Sequence, residues 1–125
     1  MAHEHFKSCI DACNDCALAC DHCASACLKE KDVASMARCI QLDIDCAAIC
    51  RLAVGYMARG SELAADVCDL CATICEACAQ ECAKHPMAHC QECAKACRHC
   101  AQECRRMASE HPGSRQGQRP GASAH

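Results

Sequence analysis

Cysteine is the residue type in this sequence that could do chemistry. The chain has 125 residues and contains 19 cysteines, most of which follow one another at alternating steps of three and four residues. Such alternation keeps side chains on one face of an α-helix. A deprotonated cysteine sulfur is also a good ligand for soft metal ions. The spacing therefore predicts helices that each present a stripe of metal-binding sulfur atoms.

All 19 cysteines are predicted metal ligands. They form an unbroken stripe in the first, third and fourth of four segments, whereas the second segment has only three. The full set is Cys9, Cys13, Cys16, Cys20, Cys23, Cys27, Cys39, Cys46, Cys50, Cys68, Cys71, Cys75, Cys78, Cys82, Cys90, Cys93, Cys97, Cys100 and Cys104. Chance would not maintain one period through three segments, so we expect the sulfur atoms to line a common axis.

Met36 and Asp43 stand among the cysteines of the second segment, at positions of the same stripe. A carboxylate oxygen is a hard ligand, whereas the predicted sites are soft. We therefore expect Asp43 to form a hydrogen bond to a neighbouring helix. An oxygen placed close to metal is the alternative.

Residues that commonly begin or end helices divide the chain into segments of helical length. Asp32 and Ser61 suit N-caps, Gly60 suits the position after a helix, and Pro86 suits the first turn of a helix. The predicted helices are residues 5–29, 32–59, 62–85 and 86–110. Because the connections are short, neighbouring helices should run antiparallel, which predicts an all-α, up-down-up-down four-helix bundle.

The length of the chain suits one domain, which we expect over residues 1–111. Residues 112–125, rich in Gly, Ser, Gln, Arg and Pro, are predicted to be a disordered tail. Hydrophobic residues make up 52% of the chain, but only 15 residues are Leu, Ile, Val or Phe. Cysteine must therefore fill much of the interior, and the bundle should have a Cys-lined core.

Two roles for the cysteines need no metal. Cysteine could fill the core simply as a small hydrophobe, but leucine would bury more apolar surface at every position. Disulfides within a helix would strain it, because residues at i and i+4 hold their Cβ atoms about 5–6 Å apart and a disulfide needs about 3.5–4.5 Å. Disulfides between helices remain an alternative under oxidising conditions.

Several classes of protein fit the sequence poorly. The first eight residues lack the apolar segment of a signal peptide, so we expect the reducing cytoplasm. No stretch reaches the roughly 20 apolar residues of a membrane span. A net charge of −3 with one Tyr, one Phe and no Trp argues against nucleic acid. A Cys-x-x-Cys redox enzyme would need a strand before its reactive pair, so we expect no enzyme.

Coordination number and charge favour Cu(I) as the metal. Cu(I) accepts two or three thiolates, so neighbouring sulfurs on one helix can share an ion. Zinc ions and iron–sulfur clusters need four ligands. The cysteine stripe of one straight helix supplies four converging ligands less readily than loops do. One Cu(I) per thiolate leaves a buried core neutral, which predicts on the order of 15–20 ions. A zinc or iron–sulfur protein is the alternative.

A second set of predicted ligands lies at one end of the bundle. In an antiparallel bundle, Met36 should meet His85, Met87 and His89 at one pole. Thioether and imidazole groups are neutral and bind Cu(I) more weakly than thiolates do, which suits an entrance. Capping and packing at a tight junction is the alternative.

Other Met and His residues are interpreted as bystanders. Met57 and Met107, with His5 or His111, should close the opposite pole by hydrophobic packing, and metal ligation is the alternative. His22 and His99 flank stripe cysteines but lie off the seam, so both are expected in solvent.

The sequence resembles the cytosolic bacterial copper storage proteins over about residues 5–108. The motifs that carry the resemblance are Cys9-x3-Cys-x2-Cys-x3-Cys-x2-Cys-x3-Cys27, Arg38-Cys-Ile40, Asp45-Cys-Ala-x-Ile-Cys50, and the ladders from Cys68 to Cys104 around Lys84-His-Pro-Met-Ala-His89. The resemblance implies a four-helix bundle, usually a homotetramer, that loads Cu(I) on core cysteines through an end bearing His and Met. Cys68 stands one turn before the regular ladder and is an addition to the usual set.

The second helix carries more apolar residues than its sparse cysteine face needs. These residues are Ile40, Leu42, Ile44, Ile49, Leu52 and Tyr56. The excess predicts a subunit interface, in agreement with the tetramers that the resemblance implies.

The expected copper donor is a copper chaperone or a small thiol.

Overall fold

The computed structural model describes residues 6–110. The α-helices are α1 (Lys7–Cys27), α2 (Ala37–Ala58), α3 (Ala64–Ala83) and α4 (Ala88–Glu110), and a short 3-10 helix (Val33–Met36) precedes α2. No strand occurs within residues 6–110, in agreement with the predicted all-α class. The predicted tail over residues 112–125 lies outside the described residues, as do His5 and His111.

Sulfur contacts show that neighbouring helices run antiparallel. Cys9 at the start of α1 lies 3.6 Å from Cys104 near the end of α4, measured between Sγ atoms. Cys27 at the end of α1 lies 3.9 Å from Cys90 at the start of α4. Contacts between α2 and α3 show the same reversal, so the described residues form the predicted up-down-up-down bundle.

The link from α1 to α2 differs from the prediction. The Asp32 carboxylate accepts a hydrogen bond from the Ser35 N–H at 3.3 Å, as an N-cap does. The helix that it caps is the 3-10 helix, however, and α2 begins only at Ala37. A 3-10 turn at the start of an α-helix is a frequent way to tighten the chain.

Gly60 ends α2 as predicted. Its φ of 65° is the left-handed conformation that glycine adopts without steric cost. The Gly60 N–H donates to Met57 O at 3.0 Å and the Ser61 N–H donates to Tyr56 O at 2.9 Å, which is a Schellman motif. Ser61 is not the N-cap of α3. Its hydroxyl accepts from the Leu63 N–H at 3.0 Å, within the turn before that helix.

The prediction that Pro86 lies in the first turn of α4 is wrong, because α4 begins at Ala88. The junction is instead closed by Gln91. Its side-chain amide donates to the backbone oxygens of Ala83 at 3.2 Å and His85 at 2.7 Å. One backbone oxygen at the end of α3 and one in the turn after it are thereby satisfied, so the tight turn holds α4 against α3.

Sulfur and methyl groups make up most of the core. All 19 cysteine side chains are fully buried, and alanines such as Ala53, Ala72 and Ala94 are buried beside them. Such small side chains let the helices approach closely. Met57 and Met107 are buried as well, at the pole where α2 and α4 end.

Candidate metal centre

The candidate metal centre is the line of thiols along the axis of the bundle. All 19 cysteines are free and fully buried, so the predicted Cys-lined core is confirmed. Sulfurs also meet across the diagonals of the bundle. Cys46 on α2 lies 3.8 Å from Cys97 on α4, and Cys50 lies 3.8 Å from Cys100. These distances place the thiols around one axis rather than in separate pairs of helices.

Thiols converge in groups of four along this axis. The four sulfur atoms of each group lie within 4.8 Å of one another. The groups include Cys13 with Cys71, Cys100 and Cys104; Cys16 with Cys46, Cys50 and Cys75; Cys16 with Cys20, Cys46 and Cys97; Cys20 with Cys78, Cys93 and Cys97; and Cys23 with Cys27, Cys39 and Cys90. The expectation that helical stripes supply four-ligand sites poorly is therefore wrong, because four stripes face the same axis.

Neighbouring groups share members. Cys16 and Cys46 belong together to two of the groups, and Cys20 and Cys97 belong together to two. A sulfur that serves two groups must bridge two ions if both groups are filled. Shared sulfurs suit Cu(I), which is coordinated by two or three thiolates that can bridge neighbouring ions. Separate tetrahedral zinc sites would compete for the shared sulfurs.

Asp43 lies within the line of thiols. Its Oδ1 accepts hydrogen bonds from the thiols of Cys78 at 3.2 Å, Cys93 at 3.3 Å and Cys82 at 3.4 Å. The predicted hydrogen bond to a neighbouring helix is thus confirmed, and Asp43 bonds to both α3 and α4. Burial, followed by the nearby Cys93 and Cys78, raises the Asp43 pKa from 3.8 to about 10, so the side chain is neutral at pH 7.

Burial keeps the thiols of Cys90 and Cys27, near one end of the core, protonated. It raises the pKa of Cys90 to about 11, and it raises the pKa of Cys27 further. A low dielectric disfavours the thiolate until a cation neutralises it. The metal-free core is therefore uncharged at these positions, and a bound monovalent metal would replace a proton.

His89 touches the end of the line of thiols. Its Nδ1 lies 3.5 Å from the sulfurs of Cys23 and Cys90 and 3.9 Å from that of Cys27. Its Nε2 is 3.0 Å from a carboxylate oxygen of Glu30. The imidazole therefore lies between the carboxylate of Glu30 and buried sulfur.

The other predicted entrance residues lie near this end. His85 contacts Glu81 through Nε2 at 3.1 Å. Met36 is fully buried in the core, and Met87 is half-buried and packs against it. His89 therefore contacts thiols, whereas His85 contacts the Glu81 carboxylate of α3, the helix that precedes it.

Glu30 and Glu81 were not singled out from the sequence. Both are acidic residues in helix-terminal segments, a common place for solvated charge, and only their distance to the two histidines distinguishes them. Glu81 is 8% exposed and is also 3.4 Å from both Arg38 and Lys84. His22 and His99 are exposed, as predicted.

The apolar face of α2 is narrower than predicted. Ile49 is buried within the bundle, and Ile40, Leu42 and Tyr56 pack partly against its core. Ile44 and Leu52 remain, with 56% and 50% of their surface exposed. Leu52 borders a surface groove between α2 and α3 that Ala48 and Ile74 also line.

The comparison with known families agrees with this geometry. A sequence profile of the Csp family, described as copper storage protein, matches residues 2–109. The chain belongs to the copper storage protein family. Its sulfur-lined four-helix bundle is thus the architecture of a family named for storing copper.

Three relatives illustrate the similarity. The Cu(I)-bound copper storage protein BsCsp3 is 50% identical, with a TM-score of 0.80 over 86% of this chain and 99% of that chain. A cytosolic copper storage protein from Streptomyces lividans, in a structure with five coppers, is 39% identical, with a TM-score of 0.82 over 86% of this chain and 95% of that chain. The cysteine-rich protein YhjQ of Bacillus subtilis, uncharacterised, is 50% identical over 86 residues, which are 69% of this chain and 80% of the relative.

The helices offer no candidate for a membrane span. Within residues 6–110, none combines sufficient length with sufficient apolar character to cross a bilayer.

Proposed function

We propose that this protein stores Cu(I) on the cysteines of its core. The observation that carries the proposal is the continuous line of 19 buried, free thiols, in which four-sulfur groups overlap. Membership of the copper storage family and similarity to a Cu(I)-bound relative support copper as the metal.

Charge favours Cu(I) over zinc in such a core. A tetrathiolate zinc site keeps two negative charges, and a buried charge without a partner costs many kcal/mol. One Cu(I) for each thiolate leaves no net charge, however many sites are filled. The proposed capacity is therefore near one Cu(I) per cysteine, with Cys68 included.

The entrance is proposed at the pole that carries His85, Met87 and His89. His89 supports this assignment because its Nδ1 already lies against three thiols. The half-buried Met87 offers a thioether close to the core surface. Neutral ligands of moderate strength would hold an incoming ion briefly and pass it to the thiolates below.

The proposed setting is the reducing cytoplasm, which keeps thiols free. The Streptomyces lividans relative is described as cytosolic, which supports this location. A copper chaperone or a small thiol would deliver Cu(I), and loading would release the thiol protons. Storage needs only ligand exchange between neighbouring sulfurs, so we propose no catalytic activity.

An anaerobic Cu(I) titration of the fully reduced protein tests the storage function. We expect saturation at on the order of 19 ions per chain, because neutralising the buried thiolates requires one cation for each. Metal analysis after gel filtration should give the same ratio. Saturation at only a few equivalents would contradict the proposal.

A matched Zn(II) titration serves as the control. Zinc needs about four thiolates for each ion, so it should saturate at no more than about a quarter of the Cu(I) capacity. Excess Cu(I) should then displace the zinc completely. Zinc that resists displacement would favour the zinc alternative instead.

The exposed apolar groove supports assembly into a homo-oligomer, which we propose to be a tetramer. Ile44 and Leu52 on α2 face outward, and Leu70 on the adjacent α3 is 51% exposed. Large exposed apolar side chains on two adjacent helices favour contact with another subunit.

Charged substitutions test the interface. Ile44→Glu combined with Leu52→Glu should convert the oligomer into monomers, because a buried unpaired carboxylate opposes association. Light scattering after gel filtration gives the mass. Leu18→Glu is the matched control, since Leu18 is 65% exposed on α1 and should tolerate the charge without a change in mass. An unchanged mass for the double variant would refute this interface.

A further inference from the structure

The imidazole of His89 joins two elements at the entrance. On one side, Nε2 lies 3.0 Å from Oε2 of Glu30. On the other side, Nδ1 lies 3.5 Å from the sulfurs of Cys23 and Cys90. The side chains of His89 and Glu30 are 14% and 32% exposed, so the pair lies at the boundary between core and solvent.

The Glu30 carboxylate determines the tautomer of His89. The tautomer decides whether Nδ1, the ring nitrogen nearest the sulfurs, has a free lone pair. An ionised carboxylate can only accept hydrogen bonds, so Nε2 must carry the hydrogen that it donates to Glu30. In a neutral imidazole the other nitrogen, Nδ1, then has no hydrogen. Its lone pair points toward Cys23, Cys27 and Cys90, where it can bind a metal ion.

The backbone holds Glu30 in position for this contact. The Glu30 N–H donates to Cys27 O at 3.1 Å, and the Lys29 N–H donates to Ala26 O at 3.1 Å. These bonds continue the end of α1 for one further turn. Glu30 therefore extends from the end of α1 to the first turn of α4, and it is fixed relative to the thiol of Cys27.

The second histidine at this pole provides an internal comparison. His85 pairs with Glu81 four residues earlier on the same stretch of chain. Glu81 also lies 3.4 Å from both Arg38 and Lys84, so its charge is shared among three partners. The pair of Glu30 and His89, in contrast, connects two helices and ends directly on thiols.

We propose that Glu30 is a positioning residue for copper transfer. It holds the His89 ring so that Nδ1 faces Cys23, Cys27 and Cys90 and can bind a Cu(I) ion together with one or two of their sulfurs. A carboxylate behind a metal-binding histidine orients the ring and makes it a better ligand, and its loss typically costs 10–100-fold in affinity or rate. This inference rests on the storage function proposed above.

The tautomer of His89 in the copper-free protein is the first readout. Long-range hydrogen–nitrogen NMR correlations of the reduced protein, with 15N-labelled histidine, report which ring nitrogen is protonated. We expect protonated Nε2 in the wild type and in Glu30→Gln, whose side-chain oxygen can accept the same bond. Glu30→Ala should give a mixture of tautomers. His89→Ala assigns the signal among the eight histidines of the chain.

Anaerobic copper transfer is the second readout. Cu(I) is offered as its glutathione complex, and uptake is followed by the absorbance of copper–thiolate bonds. Glu30→Ala should load about 10–100-fold more slowly at the entrance, with an unchanged final capacity. Glu30→Gln should retain most of the rate. In a His89→Ala background, the Glu30→Ala change should have no further effect, because both act through one ring.

These measurements distinguish a carboxylate that positions the ring from one that only attracts the cation. Wild-type rate and tautomer in Glu30→Ala, with full capacity, would overturn the positioning role alone. Slower loading by Glu30→Ala in the His89→Ala background would also overturn it, since Glu30 would then act through charge and not through the ring. Saturation of the wild type at only a few Cu(I) ions would instead overturn the storage function.

Discussion

Loading with Cu(I) should raise the melting temperature of the protein by at least about 20 °C under anaerobic conditions. A single ligand present at 1,000 times its Kd stabilises the folded state by about 4.1 kcal/mol, and 1 kcal/mol corresponds to roughly 4–8 °C in a domain of this size. The bundle offers many such sites. Moreover, the thiols of the copper-free core are buried, so bound metal replaces weak contacts between small side chains with coordinate bonds that join all four helices.

Differential scanning calorimetry of the copper-free and the loaded protein measures this effect. Unfolded thiols also bind Cu(I), so the rise in melting temperature depends on convergence of the sulfurs in the fold. A triple variant, in which Cys16, Cys46 and Cys97 are each replaced by serine, removes the sulfurs at the centre of the overlapping groups. Relative to its own copper-free form, this variant should gain much less. Equal melting temperatures for copper-free and loaded wild type would mean that the metal does not bridge the helices.

Replacing Asp43 by asparagine should remove a large pH dependence from the stability of the copper-free protein. The Asp43 pKa is raised from 3.8 to about 10 by burial and by neighbouring thiols. Between these two values the unfolded chain ionises this carboxyl while the folded chain keeps it protonated. The contribution of Asp43 is therefore most favourable below pH 3.8 and is lost as the pH rises toward 10.

The difference between wild type and Asp43→Asn measures this contribution. Wild type should lose about 1.4 kcal/mol per pH unit relative to the variant, or on the order of 4 kcal/mol by pH 7. Urea unfolding with reductant between pH 5 and pH 8 gives both curves, and the subtraction removes effects of histidines and thiols. Asp15→Asn, an exposed change on α1, should run parallel to wild type. Parallel curves for Asp43→Asn would show that the carboxyl is ionised in the core.

The Asp43→Asn variant separates the effect of the Asp43 charge from the effect of its hydrogen bonds. The amide oxygen of the Asp43→Asn variant could still accept the hydrogen bonds that Cys78, Cys82 and Cys93 donate to Asp43 Oδ1. The variant therefore keeps the connection between α2, α3 and α4 while it removes the ionisable group. A change in stability then reports the charge and not the geometry of the bundle.

The amino-acid sequence determined the helices, their cysteine stripes and the chemistry of the core. These features are local, because the angle of 100° between successive residues of a helix decides which side chains share a face. The same local reasoning correctly placed Asp43 on the seam, Gly60 at the end of α2, and His22 and His99 in solvent. The predicted helix starts were wrong for α2, α3 and α4, because the turns before these helices differ from the predicted caps.

Which sulfurs meet, and which acids approach the histidines, depends on how the helices pack against one another. The period of a stripe gives the direction of a side chain from its own helix axis, but it contains no information on how neighbouring helices are rotated or shifted. The convergence of Cys16 and Cys46 with sulfurs of two further helices depends on that alignment. So does the contact of Glu30 with His89, which lies 59 residues away in the chain.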